Sequence, residues 1–135
     1  MILQTNPALP EAIRKYGCGL MAVIWHAARL GACTISGIAD VLNIYTAAIE
    51  CGAMDANCYI YEWDAVFMCA GLATQYTDRH ELPSVQCRAD QIEILRYPAH
   101  FVAGNGSGAT TYDPWGKSHA ATLPLKSKRI FTLRG

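Results

Sequence analysis

Hydrophobic periodicity changes once along this chain, at Gly71, and that change confines it to a narrow set of folds. Before Gly71, apolar residues recur at the three- and four-residue spacing of buried helix faces. After it they fall in short runs cut by turn residues, as β-strands do. Helices first and strands afterwards predict an α+β fold, with N-terminal helices packed on a C-terminal antiparallel sheet.

Pro7 and Pro10 punctuate the start, and Glu11 to Lys15 makes a short helical turn that Gly17 breaks. Cys18 to Leu30 is the strongest helix. Its apolar residues cover nearly the whole circumference, which predicts burial on most sides, and Gly31 stops it. A second helix is expected from a Ser36 cap through Ile38, Leu42, Tyr45 and Ile49 to Gly52. Ala53 to Cys58 reads as a loop, and Tyr61 to Gly71 as a third, shorter helix. The expected strands are Ala73 to Thr77, Ile92 to Tyr97, His100 to Gly104, Ala109 to Asp113 and Arg129 to Leu133.

With 135 residues, 52% of them hydrophobic, the chain is expected to form one domain, 1–135, around its own core. Eleven Lys and Arg balance eleven Asp and Glu, so no global field draws it to nucleic acid or to an anionic membrane. The longest apolar run, Leu20 to Ala28, is interrupted by His26 and too short to span a bilayer. The first residues lack the pattern of a secretory signal, and the expected location is the cytoplasm. The sequence sets no oligomeric state.

Six cysteines, at 18, 33, 51, 58, 69 and 87, invite a disulfide or zinc reading. Disulfide frameworks belong to small secreted chains without a core, and no CxxC pair supports zinc, so no metal and no cofactor are expected. Five of the six cysteines read as small buried hydrophobes or surface thiols. The basic end, with Lys117, Lys126, Lys128, Arg129 and Arg134, reads as a solvated edge.

Cys18 differs from the other five by position. Following Gly17, it falls in the first turn of the central helix, where unpaired N–H groups and the positive end of the dipole favour a thiolate. A later hairpin offers partners. If Asn105-Gly-Ser-Gly108 is a four-residue loop, Gly104 pairs with Ala109 and His100 stands opposite Asp113, with Cβ atoms about 5 Å apart. The carboxylate then orients the imidazole towards a thiol, while Phe101 and Tyr112 point to the opposite face.

The other histidines fit less well. His26 lies about 12 Å along the helix from Cys18, too far for a hydrogen bond. His80 sits in the polar segment from Thr77 to Glu81 and reads as solvated, and His119, beyond Gly116, is the one competitor of His100.

Tyr-Gly-Cys-Gly-Leu at 16–20, His-Phe-Val at 100–102 and Tyr-Asp-Pro-Trp-Gly at 112–116, in that order, resemble the papain-like cysteine peptidase superfamily. The likeness is to the bacteriocin-leader-peptidase-like branch and its short phage- and plasmid-borne relatives, and it covers Gln4 to the last strand. It implies a papain-like α+β domain with Cys18 as nucleophile, His100 as general base and later acid, and Asp113 as the orienting carboxylate. Pro114 and Trp115 would shape the turn and wall of the site. The family places a glutamine about six residues before the cysteine to complete the oxyanion hole. Here that position is Ala12, and Gln4 is the upstream glutamine left to serve, with the Cys18 N–H as second donor.

The expected function is that of a cysteine peptidase or amidase acting on a peptide or protein amide through a thioester acyl-enzyme. The alternative is a non-catalytic or weakly active binding protein on the same scaffold, such as a phage or plasmid accessory factor.

Overall fold

The computed structural model describes residues 1–77 and 80–135, so Asp78 and Arg79 of the polar segment around His80 lie outside the described residues. Four helices come first: α1 (Glu11–Tyr16), α2 (Cys18–Arg29), α3 (Ile38–Glu50) and α4 (Trp63–Cys69). Five strands follow: β1 (Thr74–Tyr76), β2 (Gln91–Tyr97), β3 (His100–Gly104), β4 (Thr110–Tyr112) and β5 (Ser127–Leu133), with a 3-10 turn at Ala120–Thr122 before β5. The strands form one antiparallel sheet in the order β1-β5-β2-β3-β4. The fold is α+β, as the change of periodicity predicts.

Gly17 separates α1 from α2. Its N–H donates to the Ile13 carbonyl at 2.8 Å, and a Cβ at this position would stand 2.6 Å from that same oxygen. Only glycine fits the junction, and the chain starts a new helix at Cys18. In α2, Leu20 to Ile24 and Ala27 are fully withdrawn from solvent, which matches an apolar pattern that runs all round the helix. His26 is buried with them, and its Nε2–H donates to the Glu93 carbonyl on β2 at 2.7 Å. Burial lowers its pKa to about 4, so the ring is neutral at physiological pH.

Ser36 does not cap α3. The N-cap is Gly37, and Asp40 reaches back from the first turn to accept the Ser36 and Gly37 N–H groups at 2.7 and 3.1 Å. A carboxylate takes two donors there, and a serine hydroxyl one residue further out does not compete.

Ile92, Ile94, Ala103, Tyr112 and Phe131 pack with the helices in the main core. Leu95, Tyr97 and Val102 form a second cluster under Ala121 and Leu125. Both faces of β2 are therefore covered.

The basic end is not simply a solvated edge. β5 begins at Ser127, earlier than expected, and lies inside the sheet between β1 and β2. Lys128 is fully buried, with its Nζ on Glu93 Oε1 at 2.7 Å, and Arg129 is half-buried. Strand alternation inside a sheet turns some side chains inward whatever their charge, and the cost is met here by a buried counter-ion.

The β3–β4 hairpin also departs from the simple register. Asn105 N–H donates to the Ala109 carbonyl at 2.9 Å, Gly104 pairs with Thr110, and a bulge then sets Ala103 opposite Tyr112. The glycines open the loop, because Gly106 and Gly108 have φ of 96° and 86° and donate to Glu93 Oε2 at 3.0 and 2.9 Å. By Tyr112 the offset from the expected pairing amounts to two residues, and an even offset keeps each side chain on its face. No helix among the described residues is long and apolar enough to cross a membrane.

Candidate active site

α2 carries Cys18 to the end of the sheet where β3 begins. The Cys18 Sγ accepts the Phe101 N–H at 3.4 Å, which places the sulfur beside the residue that follows His100. Gly19 makes room there: a Cβ would lie 3.1 Å from the Trp63 ring and 3.3 Å from Ile60. The Tyr-Gly-Cys-Gly run is thus explained twice over, by the helix junction at Gly17 and by the packing of Trp63 at Gly19.

β2 and β3 are joined by the tight turn Pro98-Ala99, with Tyr97 paired to His100. Ala99 has φ 55°, a region costly for a residue with a Cβ and typical of strained positions at functional sites. His100 is buried (1% exposed), and its Nε2 meets Asp113 Oδ1 at 2.7 Å. Its ring stacks on Trp115 with centroids 3.9 Å apart and planes at 20°. Because Nε2–H is given to the carboxylate, Nδ1 is left as the acceptor in the neutral ring, and it is buried without a partner.

Asp113 is fixed by the turn that follows it. Gly116 N–H closes the turn on the Asp113 carbonyl at 2.8 Å, and Gly116 supplies φ 86°. Oδ1 also accepts the Trp115 N–H at 2.9 Å, and Oδ2 accepts the Ser118 N–H and hydroxyl at 3.1 and 2.6 Å. Burial raises the Asp113 pKa, but the hydrogen bonds from Ser118, His100 and Trp115 outweigh it, and the carboxyl is held below its usual range.

Cys18 behaves otherwise. Burial pushes its thiol upward; the N–H groups of Phe101, Gly19 and Cys18 itself pull it back in part, and the Asp113 charge adds to the rise. The helix start alone predicts a depressed value. The net shift is upward because the side chain is only 9% exposed, and desolvation of a thiolate exceeds what a few N–H dipoles return. Cys58, close by, is pushed up to about 12 by burial and by the charges of Asp55 and Cys18, with no group favouring its anion. All six cysteines are free thiols.

Gln4 is fully buried. Its N–H donates to the Pro114 carbonyl at 2.8 Å, its side-chain Nε2 donates to the Arg14 carbonyl at 3.1 Å, and Oε1 has no partner. Arg14 lies four residues before Cys18, so the amide is tethered at the α1–α2 junction, between the Asp113 turn and the start of α2. Gln4 does not line the two cavities that reach Cys18. His119 is exposed ahead of the 3-10 turn, away from those cavities, whereas exposed His80 lines the larger one.

The two cavities measure about 270 and 520 Å³ and share Cys18, Tyr59, Phe101 and Arg129. Sequence reasoning overlooked Arg129, Ser118 and Ala99. The glycine that closes the Asp113 turn was a signal for a carboxylate cap, but nothing local marks Ser118 as its donor. Among the described residues no group of three His, Cys, Asp or Glu is arranged to hold a metal ion.

Residues 1–133 match the model of a family described as "Protein of unknown function, DUF261". No curated protein matches the chain, and no solved structure does.

Proposed function

The chain belongs to the DUF261 family, and from its geometry we propose that it is a cysteine hydrolase of papain-like design, cleaving an amide through Cys18, His100 and Asp113. One observation carries the reading. Among the described residues, the buried side-chain polar atoms without a partner are Gln4 Oε1, His100 Nδ1 and Arg129 Nη1. His100 and Arg129 line the cavity at Cys18, and Gln4 sits behind it on Pro114. Unsatisfied buried groups cost free energy and are rare, so their concentration around one thiol fits a site whose partners arrive with a substrate.

In this mechanism the resting nucleophile is a thiol, in keeping with its raised pKa. His100 Nδ1 takes the Sγ proton as the substrate excludes water, and the sulfur attacks the amide carbonyl. Asp113 holds the imidazolium and its orientation. The Cys18 N–H receives the developing oxyanion, and Gln4, walled off from both cavities, would have to turn toward the thiol to add its second N–H. The imidazolium then protonates the leaving amine, a thioester forms on Cys18, and a water deprotonated by His100 releases the acid. Substrates in keeping with this chemistry are a peptide, an isopeptide or a cell-wall amide in the cytoplasm or in a phage or plasmid setting.

A second reading, a binding protein on the same scaffold, is favoured by two observations: Gln4 already spends one N–H on Arg14, and burial disfavours the Cys18 thiolate. Iodoacetamide labelling of the native protein with mass mapping separates the two. The hydrolase reading predicts that buried Cys18 reacts faster than exposed Cys51, and that His100→Ala slows Cys18 by about 100-fold or more while leaving Cys51 unchanged. A Cys18 slower than Cys51, or indifferent to His100→Ala, supports the binding protein.

A further inference from the structure

Two arginines and a histidine converge on the cleft at Cys18. Arg96 pairs with Phe101 across β2 and β3, and Arg129 pairs with Ile94 across β5 and β2. Residues two apart on a strand share a face, so Arg96, Phe101 and Arg129 stand on one face of the sheet. Arg96, Arg129 and exposed His80 line the larger cavity together with Cys18 and His100. Arg129, then burial, then Arg96 lower the His80 pKa, as expected of groups facing one another. No Asp or Glu is among the described residues lining either cavity.

Arg129 is built as a fixed donor. Its guanidinium lies 5.0 Å from the centroids of both the Trp63 and Phe101 rings, which hold its plane. Its Nη1 is buried and lacks a hydrogen-bond partner, although the residue borders both cavities. The guanidinium shares a hydrogen bond with Tyr76 and leaves Nη1 unpaired, and with no Asp or Glu among the described residues lining the cleft, this planar cation suits a carboxylate oxygen.

We infer that the cleft contains a carboxylate-binding subsite, with Arg129 as its floor and Arg96 at its rim, that holds an anionic group of the substrate next to the amide attacked by Cys18. The inference rests on the hydrolase reading for the second half of that statement. The carboxylate is either an acidic side chain or a chain terminus, and the chemistry at Arg129 is the same.

The test uses the full chain with labelled arginine side chains, the Arg129 Nε–H resonance being assigned by its loss in Arg129→Lys. N-acetyl-aspartate α-amide offers a side-chain carboxylate, N-acetyl-alanine a terminal one, and N-acetyl-alanine amide none. A saturable Arg129 shift with one or both acids and none with the amide is expected, and the tighter acid identifies the source. Arg96→Gln, at an exposed position, should weaken it by about tenfold. Absence of any Arg129 shift, or equal shifts with the neutral amide, overturns the subsite.

Alkylation then links the subsite to the sulfur. The rate ratio of iodoacetate to iodoacetamide at Cys18, relative to a free small-molecule thiol, should be raised about tenfold and fall in Arg96→Gln. An unraised ratio overturns the placement beside Cys18. A Cys18 inert to both reagents overturns the hydrolase reading instead, and the resonance titration still decides the subsite.

Discussion

Asp113 accepts hydrogen bonds from His100 Nε2, the Trp115 N–H, and the N–H and hydroxyl of Ser118. Those donors hold its carboxyl below the usual range against the opposing effect of burial. A carboxyl lowered in the folded state stabilises the protein above its unfolded pKa, and that stability is lost as pH falls through the folded value. Ser118→Ala removes the shortest of these bonds and moves the Asp113 pKa back up. The acid unfolding midpoint, followed by circular dichroism, should therefore shift to higher pH, with a loss of about 1–3 kcal/mol at neutral pH. An unchanged midpoint would assign Ser118 no part in holding the carboxylate. That Cys18 comes near His100 and Asp113 was legible in the sequence, because each is a chemically distinctive residue beside a recognisable break or turn. Ser118, Ala99 and Arg129 were not, since a serine's partner, a backbone angle and an arginine's stacking are set by contacts that no local pattern records.

At the level of elements, Glu93 joins β2, β5 and the 105–108 loop. Lys128 Nζ contacts its Oε1 at 2.7 Å, and the Gly106 and Gly108 N–H groups meet its Oε2 at 3.0 and 2.9 Å. Both side chains of the ion pair are fully buried. Lys128→Met should cost about 3–5 kcal/mol in urea denaturation, because it strands a buried carboxylate. Adding Glu93→Gln should recover part of that loss, and a Lys128→Met protein as stable as the wild type would contradict the account. The helices and strands themselves were readable, because periods of 3.6 and 2 are written in the order of apolar residues. The hairpin register and the helix cap were not. Both are decided by carboxylates, Glu93 from another strand and Asp40 from within the first turn, which compete for backbone N–H groups.

Across the whole molecule, the packing of α2 against β3 brings together groups 83 residues apart, with the Phe101 N–H on the Cys18 sulfur. One end of the sheet then gathers a buried thiol, an oriented imidazole with a buried, unpaired Nδ1, and a stacked guanidinium with a buried, unpaired Nη1. The change of periodicity at Gly71 foretold that helices would cover a sheet; it could not foretell that two cavities reaching Cys18 would lie at this end, bordered by Arg129 of β5. The claim that these groups form a catalytic unit is tested most directly by acid-quenched mass mapping during turnover of an activated p-nitrophenyl acyl ester. The account predicts a single acyl group on Cys18 that forms in a burst and is hydrolysed in the wild type, is absent in Cys18→Ala, and is slow both to form and to clear in His100→Ala. Acylation spread over lysines and exposed thiols, or a Cys18 thioester formed and cleared at the same rate without His100, would contradict it.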